Sequence, residues 1–167
     1  MRANLLLDLA LAPVTGYLGT KAMEPVSAKL YRLESETDRA REDAARPGPP
    51  YRIAAQKTAA LVGLNLPDAA LDKAALGFHY GLAASWAPTY ALLRRNTSLG
   101  PMAAGLLSGA AMSVIVDEGL TPALGFSAPN RAYPLATHLR GVAAHLAFGL
   151  AVAAVTETAW ALLRRRP

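Results

Sequence analysis

Three histidines and one pair of acids are the residues whose types and spacing could do chemistry in this chain. His79 and His145 each lie a short way inside a long apolar run, His138 stands just before the second of these runs, and Asp117-Glu118 close a third. Ionisable groups within membrane-crossing segments are costly to bury and face a bundle interior or a water-filled cavity. His79 follows Lys73 by six residues and His145 follows Arg140 by five. At ~1.5 Å per helical residue they then lie roughly 9 Å and roughly 7.5 Å deep. With alternating spans both depths are measured from one face, the face at which Asp117 and Glu118 end their run. The spacing predicts one polar layer holding His79, His138, His145, Asp117 and Glu118, with His79 and His145 turned to the interior.

Several chemistries suit such a layer. Each histidine can make an interhelical hydrogen bond, worth ~0.6 kcal/mol on average in membrane bundles. Histidine titrates near neutral pH, so the layer also suits a small proton- or ion-linked channel or transporter. The matched depths of His79 and His145 meet the geometric need of a bis-histidine haem, a third reading. Metal binding has no support, because neither HxxxH nor HExxH spacing occurs. The chain has no cysteine, which removes disulfides, thiolate metal sites and cysteine nucleophiles. No GxSxG, no glycine loop after a strand and no paired carboxylates in a soluble domain point to an enzyme, and no cofactor is assigned. Two further acids have structural readings: Asp8 as an N-terminal helix acid favoured by the dipole, Glu157 as an interfacial acid near Arg164.

The elements that must position these groups are apolar runs of membrane-crossing length. Ala74–Leu93 contains no formal charge over twenty residues, matching the ~20 helical residues that cross a ~30 Å hydrocarbon core. The expected architecture is an all-α integral membrane bundle in one domain, 1–167, with four transmembrane helices at about 3–21, 74–93, 99–116 and 141–163. Pro88 should kink the second span, and the proline-rich stretch 119–137 should be irregular. Gly105-xxx-Gly109-xxx-Ser113 in the third span forms a small-residue ridge for close helix packing, available to a second copy of the chain. On the fourth span His138, His145, Val152 and Thr156 share a side, flanked by Gly141 and Gly149.

Between the first and second spans lies a charged, helical extramembrane segment, 24–70. Its first part, 24–45, reads as a polar helix with a narrow stripe of Val26, Leu30 and Leu33. Glu36, Asp38, Arg39, Arg41, Glu42 and Asp43 form its solvated surface. RPGPP at 46–50 stops it, and Tyr51–Leu64 resumes as an interfacial helix. The net charge is +5 and the mean hydropathy +0.22. The basic residues make no continuous tract, so nucleic acid is not a predicted partner; the lipid bilayer is. Arg94-Arg95 and Arg164–Arg166 are expected to anchor helix ends at the headgroups. Counting basic residues on each side gives eleven with the 24–70 side and six on the other, which places 24–70 in the cytoplasm.

The most distinctive text is DEGLTPALGF at 117–126, YPLATH at 133–138 and HLAFG at 145–149, with RPGPP at 46–50 and FHYG at 78–81. These stretches resemble the YagU-like group of small bacterial inner-membrane proteins over most of the chain, from about residue 15 to about 155. The resemblance implies a compact multi-pass helical protein of the bacterial inner membrane and carries no catalytic or transport role with it. The function expected from the sequence is therefore structural or accessory, with possible homo-oligomers built on the Gly105/Gly109 ridge.

Overall fold

The computed structural model describes residues 5–164, and all regular structure among them is helical. Helix α1, Leu5–Leu33, runs without a break through the charged residues Lys21 and Glu24, which pair at 2.8 Å on its surface. The polar helix expected over 24–45 is thus two pieces. Its first part, 24–33, is the end of α1, and α2, Glu36–Ala45, starts afresh at Ser35, whose side chain caps the amide of Asp38 at 3.0 Å. Helix α3, Pro50–Leu61, opens on proline, whose missing amide costs nothing in a first turn. It ends at Gly63, held at φ +72° with Gly63 and Leu64 amides folded back onto Ala60 and Ala59 carbonyls, a Schellman stop.

Helix α4, Asp68–Trp86, steps at Ala87 into α5, Pro88–Asn96, so the proline break falls where the sequence places it. Helix α6, Pro101–Ala123, is longer than expected, and Asp117 and Glu118 lie inside it rather than at its end. It widens to π-helical turns over Ser113–Leu120. Pro122 has no amide for the Glu118 carbonyl, and Asn130 Nδ2 donates to that carbonyl instead, at 2.8 Å. A second Schellman stop at Gly125, φ +66°, closes α6. Within 119–137 only 124–129 and 133–134 are irregular, on either side of a short turn, Asn130–Ala132, that leads towards α7, Leu135–Arg164.

Helix α7 is the spine, with α1 along one side and α6 along another; α4 packs on α1, and α3 on α4. Small residues set these distances. A Cβ on Gly16 would stand 2.7 Å from the backbone of Ala83, and one on Gly105 2.8 Å from the Gly149 carbonyl oxygen. The Gly105/Gly109/Ser113 ridge is therefore filled by α7 of the same chain, and Gly105, Gly109 and Ser113 are all buried. This corrects the reading of the ridge as a surface for a second copy. Close contact was legible in the small residues; the identity of the partner helix was not.

The core is Tyr90, Phe148 and Val152 with Ala83, Ala104 and Met112. Leu6, Leu18, Leu107, Ile115, Leu150 and Leu162 point outward, while Asp8, Thr20, Glu42, Arg140 and His145 are buried. Two helices, Pro101–Ala123 and Leu135–Leu163, are long and apolar enough to cross a membrane.

Candidate functional site

A cavity of about 550 Å³ opens between α1, α4, α6 and α7, and all five residues of the expected polar layer line it. His138 and His145 come from α7, Asp117 and Glu118 from the π-helical part of α6, and His79 from α4. The rest of the wall is largely apolar, with Phe78, Leu82, Met112, Val116 and Phe148. Helix α3 contributes Tyr51, and the 124–133 segment closes one side with Phe126 and Tyr133. That segment is held down by Arg41, which donates to the carbonyls of Ala132 and Arg131 at 3.1 and 3.0 Å, and by Lys57, which donates to the Leu124 carbonyl at 3.0 Å.

The histidines differ in what they hold. His138 Nδ1 is 2.7 Å from Glu118 Oε1, and its Nε2 is 3.1 Å from the Asn130 carbonyl oxygen. A carbonyl oxygen only accepts, so Nε2 carries a proton. The short contact at Nδ1 needs one more, on either the ring or the carboxyl. The Glu118–His138 pair is therefore neutral as a unit. His145 Nδ1 lies 2.9 Å from the Gly141 carbonyl oxygen and 3.4 Å from Asp117 Oδ2, so it too is a donor. Among the described residues the buried side-chain atoms without a hydrogen-bond partner are Glu34 Oε2 and Ser113 Oγ. His79 is half-buried, with its ring 4.9 Å from that of Tyr51 and 5.1 Å from that of Tyr80. Among the described residues no three histidines or carboxylates come together to hold a metal ion.

Two arginines also reach the cavity wall, and both are held from behind. Arg140, 8% exposed, donates through Nη2 to both Glu42 oxygens at 2.6 Å and through Nη1 to Glu34 at 2.5 Å. Thr137 donates to Glu42 at 2.7 Å, and Arg46 pairs with it as well. Glu42 is fully buried, which corrects its placement on a solvated surface. No local spacing marks this cluster, since Arg140 and Glu42 are 98 residues apart.

No family model, curated protein or solved structure matches this chain.

At the other end of the bundle a second, part-buried cluster overturns the expected role of Arg94-Arg95. Arg95 grips Asp8 through two bonds, 2.7 and 2.9 Å, Trp160 Nε1 adds a third at 3.0 Å, and the guanidinium stacks 4.3 Å from the Trp160 ring. Arg94 and Tyr90 both donate to Glu157 Oε1 at 2.8 Å. Asp8 lies in the first turn of α1, as the sequence reading has it, and is an ion-pair partner as well; Glu157 is held by Arg94, and Arg94-Arg95 point inward rather than to headgroups. A buried acid without its cation is far costlier than either arginine is at a surface, which decides the direction they turn. Arg2, the Arg164 side chain, Arg165 and Arg166 lie outside the described residues. From Arg140 to Glu157 along α7 is about 26 Å at 1.5 Å per residue, close to the ~30 Å thickness of a hydrocarbon core.

Proposed function

We propose that the chain is a multi-pass protein of the bacterial inner membrane, and that it works as a small proton-linked channel or transporter around the cavity. Helices α1, α4 with α5, α6 and α7 would be its four spans, and α2 and α3 the extramembrane cover. The observation that carries the functional reading is the meeting of His79, His138, His145, Asp117 and Glu118 on one cavity wall. Two features support the membrane setting: large apolar side chains face outward over most helices, and ion-pair clusters bracket an interval close to a bilayer core. Membership of the YagU-like group belongs to the same proposal and rests on the stretches quoted above. Any self-association uses faces other than the glycine ridge, which α7 fills.

A histidine–carboxylate pair that takes up a proton becomes cationic, and hydrogen bonding within the pair spreads that charge over two side chains. Proteoliposomes with an imposed pH gradient test the reading. Flux through the intact protein is expected to fall about a hundredfold or more in the His79→Ala/His145→Ala variant, the loss typical of removing a proton-transfer group. Flux that is absent, or equal in both proteins, removes the transport reading and leaves a structural or accessory role. The haem reading is tested by the same preparation, in which a Soret band would support it.

A further inference from the structure

We propose that the cavity holds one single-chain lipid with an uncharged, hydroxyl-bearing head, whose chain enters sideways from the bilayer past α4. This rests on the membrane setting proposed above and names the ligand class of the same site. The first observation is an order of polarity along the wall. On α7 the lining runs from His138 and Arg140 to Phe148, and on α6 from Glu118 and Asp117 to Met112. The two runs lie side by side, since Glu118 meets His138 at 2.7 Å while Gly105, further along α6, faces Gly149. From Arg140 to Phe148 is about 12 Å at 1.5 Å per residue, nearly half of a ~30 Å hydrocarbon core. Polar groups thus stand at the Arg140 end and apolar ones at mid-depth, the order of head and chain in one leaflet.

The second observation is a side opening. Phe78 and Leu82 of α4 line the cavity, yet they are 38% and 40% exposed. Both also border a shallow apolar groove on the outer face of α4, with Ala74, Gly77 and Gly81. A Cβ on Gly77 or Gly81 would meet nothing within 4 Å, so the groove is open along its length. Further along α4, Trp86 Nε1 donates to the Ser108 carbonyl at 3.0 Å and closes that helix on α6. Such an edge accepts a hydrocarbon chain and gives nothing to a solvated ion.

The charges select the head. Arg46 and Arg140 sit with Glu42 and Glu34, Glu118 with His138, and Asp117 with His145. Both signs reach the wall, so a charged head meets a like charge along with an opposite one. It also leaves water for a largely apolar cavity. A hydroxyl escapes both costs, since it donates to a carboxylate and accepts from a guanidinium or an imidazole N–H. The volume of about 550 Å³ lies within the range of small-molecule pockets.

Photocrosslinking on the full chain in nanodiscs tests this with three diazirine probes of one chain, ending in an alcohol, a carboxylate and an amine. Peptide mass spectrometry reads the labelled residues. The alcohol is expected to label Met112 and Val116 saturably, in competition with monoolein, and about tenfold more than either charged probe. All three should label the outward face of α7 at Leu150 alike and without saturation, which reports the bilayer itself. Leu82→Trp narrows the opening at an exposed position, and Gly81→Leu fills the open groove. Each should remove most of the cavity labelling without lowering the thermal unfolding midpoint, while Leu150→Trp changes neither. Preference for a charged probe overturns the inference, as does cavity labelling that is absent, unsaturable or indifferent to both blocking variants while Leu150 is labelled. No labelling at Leu150 by any probe sinks the membrane setting, and the inference with it. Saturable cavity labelling without any proton flux in proteoliposomes sinks the transport reading and leaves the ligand assignment standing.

Discussion

Replacing Arg140 with methionine is expected to destabilise the protein by about 3–5 kcal/mol, the cost of leaving a buried charge without its partner. Glu42 is fully buried and receives both 2.6 Å bonds from Arg140, while Glu34 loses its only ion-pair partner. Thr137 and Arg46 remain on Glu42, but Arg46 is half-exposed and holds one oxygen only. Neutralising the acids as well should restore most of the loss, because an uncharged Glu34→Gln/Glu42→Gln pair needs no counter-ion. Thermal unfolding in detergent reads both effects. A fall of about 10 °C is expected for Arg140→Met, at about 2–4 °C per kcal/mol for a chain of this size. Most of it should return in the triple variant. An unchanged midpoint for Arg140→Met would mean that the cluster does not hold α2 to α7.

Gly149→Ala is the second large effect. Gly149 faces Gly105 and Gly109 of α6 across the closest helix contact in the bundle, and an added Cβ would land on the Gly105 carbonyl oxygen. Backbone atoms cannot swing aside as a side chain can, so α6 and α7 must separate. Overpacking typically costs about 1–3 kcal/mol, and a backbone clash belongs at the upper end. The separation also carries His145 away from Asp117, since the next turn of the same contact sets Gly109 against the His145 carbonyl. Loss of stability, read by thermal unfolding, should therefore come with loss of proton flux in proteoliposomes. Gly77→Ala is the matched control: nothing lies within 4 Å of a Cβ there, and helix propensity makes the change mildly favourable.

That the five polar residues gather at one cavity was legible from rise per residue. Counting from Lys73 and Arg140 brings His79 and His145 to one level, and they do line one cavity. The break at Ala87 was legible for the same reason, since proline acts on its own helix. Partnerships between distant segments were not. Glu42 looks in sequence like its neighbours Glu36 and Asp43, and only the arrival of Arg140 makes it a core residue. Arg94-Arg95 look like a headgroup anchor until Asp8 and Glu157 are seen to face them. The extension of α6 to Ala123 was hidden because Pro122 signals an end, and the compensating donor, Asn130, comes from beyond the turn. Small residues promised a tight contact at Gly105 and Gly109 without saying whether the neighbour was α7 or another molecule.

The central claim is a membrane bundle around a cavity that water reaches, and single-cysteine reactivity tests it most directly, since the native chain offers no competing thiol. Three sites suffice in proteoliposomes treated with a small, charged, membrane-impermeant thiosulfonate. Ala40→Cys lies on the exposed surface of α2, Thr121→Cys on the cavity wall, and Leu150→Cys on the outward face of α7. Fast reaction is expected at residue 40, slower reaction at residue 121 and none at residue 150. Reaction at residue 150 as fast as at residue 40 would contradict the claim, because that face would then lie in water and not in lipid.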